Sequence, residues 1–464
     1  MSRPTPRSYW LQEALGDAPP SPALQGRQRC DVAIVGGGYV GLWTALRLKE
    51  LEPSCDVAVV ERDVCGAGAS GRNGGFVLSW WPKIASLVEL CGSQEALRLA
   101  QASERAIDEV GAFCQQHAPD AEFRRGGWLW TATAPAHLNA WAGVLRACDR
   151  LGHAPFQPLD PVEVAARTGS PVHLAGVLEP SAATVQPAVL VRALRRVALQ
   201  RGVRIFERSR VRRLVRRRPV RLLTARGALD ADAAVIATNG WAAAIPELHT
   251  AMVVVSSDIV LTEPIPDRLA AIGWTGGEGI TDSQTMVDYY RTTADGRIAF
   301  GKGGWGLAFG GWMPPSMHRD PRRARLVAAD FRRYYPMLRD VAISHDWAGP
   351  IDRTPHGLPI FGRLGGHPSV VYGVGWSGNG VGPSVLGGRI LASLALGRDD
   401  AWTASPLVRR RRGHFPPEPI RYLGALAVRR AVIRKEAAEA LGRPPSRVAV
   451  ALAKLAPAGL EDKQ

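Results

Sequence analysis

Three glycines and one acid, at fixed spacing near the N-terminus, carry the first chemical signal of this 464-residue chain. Gly36, Gly38 and Gly41 follow the apolar run 32–35, and Glu61 closes the next apolar run, DVAVVER, twenty positions after the last glycine. Such glycines suit a tight turn, a close approach of backbone to a pyrophosphate, and close helix packing. From Tyr39 onward apolar residues, Val40 among them, recur at helical spacing, which aims the free N–H groups of a helix N-terminus at the phosphates. Glu61 is then placed to accept both hydroxyls of an adenosine ribose, and its charge disfavours a 2′-phosphate, which argues against NADP. Strand, glycines, helix, second strand and acid in register predict dinucleotide binding rather than a bare glycine-rich turn.

The string GAGASGRNGG, residues 66–75, follows at once. A glycine-dense loop lets backbone lie against a flat ring system without a Cβ clash. With the dinucleotide motif ahead of it, this string resembles the D-amino-acid-oxidase-like (DAO) family of FAD-dependent oxidoreductases. Three further segments are similar to the same family. LVRRRPVRLLTARGALDADAAVIATNGW, residues 214–241, resembles its β-ribbon and closing strand. RTPHGLPIFGR, residues 353–363, resembles its TPDGxPxIG segment, with His356 where an Asp is usual. YGVGWSGNGVGPSVLGGRILASLALG, residues 372–397, resembles its C-terminal flavin loop and helix. The resemblance covers about residues 8 to 400, with the motifs in the family's order. SYWL near Ser8, GRNGG and YYRTT look most like gamma-glutamylputrescine oxidase and a related set of aminophosphonate oxidoreductases. The latter likeness extends into the tail, FPPEPIRYLGALAVRRAVIRKEAAE.

That resemblance implies FAD, and it implies where FAD is held: Gly36, Gly38, Tyr39, Val40, Gly41, Glu61 and Arg62; Ser70, Arg72, Asn73, Gly74 and Gly75; Val211, Thr238 and Asn239; and Gly375, Trp376, Ser377, Gly378, Asn379 and Gly380. The last six form a turn before a helix, suited to placing N–H groups near the flavin N1 and C2 oxygen, where negative charge accumulates on reduction. Trp376 either packs on the ring or shields it, and Arg72 and Asn73 either border the flavin or make ordinary loop hydrogen bonds. Arg72 stands near where some members carry a covalently linked His, and no cysteine follows Cys148, so the flavin is expected to be non-covalent.

Three residues are candidates for catalysis. Lys302 in FGKGG is one of only six lysines. A cation near flavin C4a or N5 speeds the first electron transfer to O₂, as lysine does in related sarcosine-oxidase-like enzymes; it also suits an anionic substrate group or, more plainly, a solvated hairpin. Tyr289 and Arg291 share one face of an expected strand and Tyr290 takes the other. A guanidinium beside a phenol suits a carboxylate or phosphonate; the plain alternative is a sheet arginine paired with an outer-face acid. His318 and His356 are either tuners of substrate protonation or surface loop residues.

Positioning these groups requires two interleaved halves. Residues 28–85, 170–245 and 345–400 are expected to form a Rossmann-like α/β FAD domain. Residues 86–169 and 246–344 are expected to form an α+β substrate domain whose antiparallel sheet, built from MVVVSSDIVLTEPI, IGWTGGEGITDS, MVDYYRTT and RIAFGKGG, roofs the flavin. Residues 401–464 predict basic helices, 419–441 and 447–455, packed on the FAD domain with Leu423, Leu426, Val428 and Val432 among their apolar positions, in preference to the alternative of association with a membrane surface.

Composition narrows the function classes. Apolar residues make up 46% and no 18-residue apolar run occurs, so no transmembrane helix is expected. The start, MSRPTPRSYW, lacks an apolar signal core, and six scattered cysteines without CxxC spacing read as reduced thiols in a cytoplasmic protein, with no metal site. Net charge is +16; residues 192–226 hold fourteen arginines and one acid, and residues 401–464 thirteen basic against five acidic residues. Those segments lack interleaved aromatics for base stacking, so an anionic small substrate is a better use for the field than nucleic acid. The resulting reading is an FAD-dependent amine oxidase or dehydrogenase acting on a small anionic amine, an aminophosphonate first, with O₂ as acceptor. Gamma-glutamylputrescine or an N-methyl amino acid such as sarcosine is the next choice. The competitors are a flavin oxidase acting on a tRNA side chain and a flavoprotein that keeps its cofactor without turnover.

Overall fold

The computed structural model describes residues 6–16, 19–409 and 413–462. Apolar β-branched runs too short for helices become the buried strands of a first sheet: Val57–Val60 is wholly buried, and Gly26–Val35 buries its second half. Strand order across this sheet is Ile360–Arg363, Val370–Val374, Gly227–Ile236, Gly26–Val35, Val57–Val60 and Arg204–Phe206. All neighbours run parallel except the Ile360–Arg363 edge, and the ribbon Arg213–Val215 with Val220–Leu223 adds antiparallel pairing to Gly227–Ile236. The helices Tyr39–Leu51, Ser384–Ala395 and Pro187–Gln200 pack in the same apolar core as these strands. A parallel sheet buried on both faces needs just such cover.

The second sheet has the order Ile343–Arg353, Val253–Thr262, Ile298–Leu307, Asp288–Thr292, Gly279–Asp282, Trp128–Ala132, Ala175–Glu179 and Gln157–Leu159. The helix Pro321–Tyr334 covers its outer face, where Tyr290, Phe300, Phe331 and Tyr335 pack together. Tyr290 and Phe300 stack with centroids 4.8 Å apart.

Two strands cross the boundaries expected from sequence. Ala175–Glu179 pairs with Trp128–Ala132, and Ile343–Arg353 pairs with Val253–Thr262, so both belong to the roof sheet and not to the FAD domain. The chain therefore changes domain later than its composition suggests, because each strand completes a ladder before the chain leaves. The tail also differs. Ile420–Ala440 and Arg447–Ala453 are helices, but Val428 and Val432 pack against Met286 and Trp305 of the roof, not on the first sheet. Leu423 is exposed and Leu426 half-buried. The arginine run 410–412 lies outside the described residues. All six cysteines are free thiols, five of them buried.

Candidate active site

A cavity of about 950 Å³ opens between the two sheets. Eighteen of the residues expected to hold the cofactor line it: Gly36, Gly38, Tyr39, Val40, Glu61, Arg62, Ser70, Arg72, Asn73, Gly74, Val211, Thr238, Asn239, Trp376, Ser377, Gly378, Asn379 and Gly380. Gly41, Gly75 and Gly375 stand one layer behind. A Cβ on Gly41 would lie 2.0 Å from the Gly36 carbonyl oxygen, so this glycine serves helix packing. Gly75 abuts the Val185 carbonyl, and Gly375 donates its N–H to Asp352 at 2.6 Å.

The nucleotide end is built as the glycine spacing requires. Gly36 has φ +114°, and a Cβ there would meet the Ala237 carbonyl oxygen at 2.4 Å. Gly38 caps the helix Tyr39–Leu51 without a side chain and the Tyr39 N–H goes to Ser70 Oγ, so an anion at this end would meet the N–H groups that follow Tyr39. Glu61 accepts N–H bonds from Gly37 at 2.8 Å and Asp63 at 2.9 Å, which fix its carboxylate at the strand end, while burial raises its pKa. Arg62 lies over the Trp241 ring at 4.7 Å, and Arg210, Arg212, Arg213 and Arg216 join the lining there. Part of the arginine-rich stretch thus faces this cavity, and part is internally neutralised: Arg192 and Arg195 pair with the buried Glu207.

The loop 66–75 is stitched rather than mobile. Arg72 is 2% exposed and donates to the carbonyls of Ala67, His318, Ala348 and Pro6. Burial lowers its pKa to about 10. Asn73 donates to Ala69 and Ser70 carbonyls and accepts from the Gly75 N–H. Ser70 Oγ accepts from the Tyr39 N–H at 2.9 Å. Arg72 and Asn73 border the cavity, yet their side chains shape the loop.

Opposite lies the turn 375–380, with Ser377 and Gly378 both at positive φ. Asp352, which no linear motif singles out, organises this turn. Its carboxylate accepts from Gly375 and Trp376 N–H groups and from Asn239 Nδ2, joining the turn to the end of strand Gly227–Ile236. Trp376 packs inward, toward Gly387 and Phe361. Asn379 donates to the Ser79 carbonyl, while its buried Oδ1 has no partner among the described residues. A glycine cradle, an open helix N-terminus, a fixed strand-end acid and an unpartnered amide oxygen fit a dinucleotide with a flat polar ring.

The roof supplies Tyr289, Ser257, Thr281, Val287, Gly303 and Arg353. Tyr289 and Ser257 hydroxyls meet at 2.6 Å, and Gly301 leaves room for the phenol, since a Cβ there would lie 2.2 Å from its ring. Burial raises the Tyr289 pKa. Tyr289 and Arg291 do share the inner side, but Arg291 is spent: its guanidinium donates to the carbonyls of Gly74, Val185 and Thr292 and lies over Trp10. It does not line the cavity.

Lys302 is a second correction. It sits on the outer face of its strand, pairing with Asp288 at 2.8 Å and Asp330 at 3.4 Å under the helix Pro321–Tyr334. Alternation along Ile298–Leu307 sends Gly301 and Gly303 inward and Lys302 outward. His318 stacks on Trp241 at 5.9 Å, and burial lowers its pKa to about 4. His356 lies outside the lining; burial likewise lowers it to about 4.

This geometry fits a protein that holds a dinucleotide, and the family match supplies the chemistry. Residues 31–394 match the DAO family model, "FAD dependent oxidoreductase". The chain belongs to that family and is FAD-dependent. It is 30% identical to a probable oxidoreductase OrdL of Rhizobium meliloti, over 85% of this chain and 89% of the relative. Identity to the gamma-glutamylputrescine oxidoreductase of Escherichia coli is 28%, over 88% and 92% of the two chains. Among solved structures, glycine oxidase from Geobacillus kaustophilus shares the fold, with a TM-score of 0.68 at 21% identity over 83% of this chain and all of that one.

Proposed function

We propose that the protein oxidises the C–N bond of a small amine carrying an anionic group, an aminophosphonate before a gamma-glutamyl amine or an N-methyl amino acid, with O₂ as acceptor. The observation that carries this reading is the chamber between the turn 375–380 and the inner roof, walled by Tyr289, Ser257, Thr281 and Val287 together with a buried arginine. FAD, held without a covalent link, supplies a hydride acceptor when bound. The chain's residues do the rest. The Tyr289–Ser257 pair offers a hydroxyl to an amine or carboxylate, and burial keeps the phenol protonated, hence a donor. Apolar walls at Val287, Phe76 and Leu78 exclude water and favour the unprotonated amine, whose lone pair is needed at the reacting carbon. Asp352 and Asn239 hold the turn 375–380 so that its polar groups keep a fixed geometry. The E. coli relative's name, which specifies a gamma-glutamyl amine, supports an amine substrate.

Air-saturated assays with 2-aminoethylphosphonate, gamma-glutamylputrescine, sarcosine and glycine test this, read by oxygen uptake and peroxide formation. At least one amine is expected to give both. Turnover only with an artificial electron acceptor would replace O₂, and none with any acceptor would defeat the reading.

A further inference from the structure

The family match ends at residue 394, yet the chain comes back to the cavity well beyond that point, where Leu460 joins the lining. Its approach runs along the roof. Val428, Val432, Ala453 and Ala456 pack with Met286, which precedes the cavity-lining Val287. The segment 457–462 then crosses the edge of the chamber. There the Ala458 N–H donates to the Pro355 carbonyl at 3.4 Å, and a Cβ on Gly357 would lie 3.0 Å from the Gly459 carbonyl oxygen.

Two consecutive acids fasten this segment to two buried cations. The buried Glu461 is the countercharge of Arg353, which ends the roof strand Ile343–Arg353. Asp462 pairs with the buried Lys83 at 2.5 Å, accepts from the Ser86 N–H at 2.8 Å, and donates its own N–H to the Pro82 carbonyl at 2.8 Å. Lys83 leads into the helix Ile84–Cys91, which shares the apolar core of the first sheet. The segment is therefore strapped to both halves of the molecule, and breaking one partner of either pair would leave a buried charge uncompensated. Leu460, held between Gly459 and the two acids, has little freedom to leave the cavity wall.

The neighbours of the strap locate it on the chamber. A Cβ on Gly459 would lie 3.5 Å from Arg353 Nη1, and one on Gly303 would lie 3.5 Å from Arg353 Nη2 and 3.8 Å from Val287 Cγ1. Gly459, Arg353, Gly303 and Val287 are thus contiguous, and the last three line the roof side of the cavity. With Arg353 and Lys83 already matched to acids, the half-buried Leu460 side chain is what the strap presents there. We propose that Leu460 sets the length of substrate the chamber accepts, its isobutyl group filling the space that the far end of a longer amine would need. The inference rests on the amine-oxidising reading and deepens it by assigning a short-chain substrate class. A hydrocarbon wall also offers nothing to a second polar terminus, and burying one against it without a hydrogen bond is costly.

Titration of the full-length, flavin-containing protein with methyl-, propyl- and hexylphosphonate, and with acetate, butyrate and heptanoate, tests the wall without turnover when read by the change in flavin absorption. In the wild type, affinity is expected to fall from the propyl to the hexyl member of the series that binds. Leu460→Ala is expected to raise affinity for the hexyl member relative to the methyl member by roughly tenfold or more, the range for admitting a few methylenes to an apolar site. Leu460→Trp is expected to act in the opposite direction and exclude the propyl member as well. Asp462→Asn, which loosens the strap and leaves the wall residue in place, is expected to shift the profile as Leu460→Ala does; should it not accumulate as folded protein, the two Leu460 variants decide. The same chain-length profile in wild type and in both Leu460 variants, or no binding of either series, overturns the assignment. Amine-dependent bleaching of the same preparations reports separately on the underlying reading. Protein that bleaches with amines while its profile is unmoved by the variants keeps that reading and loses this one; a shifted profile in protein that no amine bleaches does the reverse.

Discussion

Lys302 is held away from the cavity by its ion pair with Asp288, whereas Asp352 lines the cavity and ties Asn239 to the turn 375–380. Lys302 neutralises Asp288 beneath the outer helix, so Lys302→Met strands a buried carboxylate and is predicted to cost about 3 kcal/mol in denaturant unfolding. Flavin reoxidation by O₂ is predicted to be unchanged in the fraction that folds, and a selective slowing in stopped flow would contradict the outward placement. Asp352 is tied to the turn 375–380 by Gly375 and Trp376. Asp352→Asn places an amide donor against N–H groups and is predicted to weaken FAD retention roughly tenfold in equilibrium dialysis. Burial pushes this carboxyl up to about 7. The folded apoprotein therefore holds the proton more tightly than an unfolded chain, whose carboxyl titrates near pH ~4. The associated stability is complete below about pH 4 and is lost as the pH rises through about 7. The Tm advantage of wild type over Asp352→Asn is predicted to shrink across that interval; a constant difference would show that the carboxyl ionises normally.

At the scale of elements, the glycine-to-helix turn is the part most legible in sequence. Gly36, Gly38 and Glu61 are tied to one another by fixed offsets along a strand, a helix and a strand, and local spacing encodes all of it. Gly36→Ala sets a Cβ 2.4 Å from the Ala237 carbonyl at φ +114°, and it is predicted to yield protein that purifies without flavin absorbance. The roof was legible as strands, and alternation gave the shared face of Tyr289 and Arg291. Whether a side chain on that face reaches the cavity depends on what packs beside it, and there sequence falls short. Arg291 meets the loop 66–75 and Trp10, while Arg353 sits at a strand end that the sequence assigns to the other domain. Asp352 was hidden for the same reason: its partners are an asparagine 113 residues away and a turn 23 residues on. Docking of the tail on the roof depends equally on distant partners, since Glu436 accepts from the Met286 N–H at 2.7 Å.

At the scale of the whole molecule, two sheets face each other across one cavity, and chain segments alternate between them. Part of the arginine-rich stretch, Arg210, Arg212, Arg213 and Arg216, joins Arg62 in the lining at the nucleotide end of that cavity, while Arg192, Arg195, Arg201, Arg204 and Arg221 pair with acids of the chain. No helix among the described residues is long and apolar enough to cross a membrane. The central claim concerns what passes between the sheets, and anaerobic mixing of the purified protein with 2-aminoethylphosphonate, gamma-glutamylputrescine, sarcosine and glycine tests it most directly. A yellow protein whose flavin absorption bleaches with at least one of these amines, releasing a carbonyl product, is the predicted result. Flavin that stays oxidised with every one of them, or protein that neither carries nor takes up FAD, would contradict it.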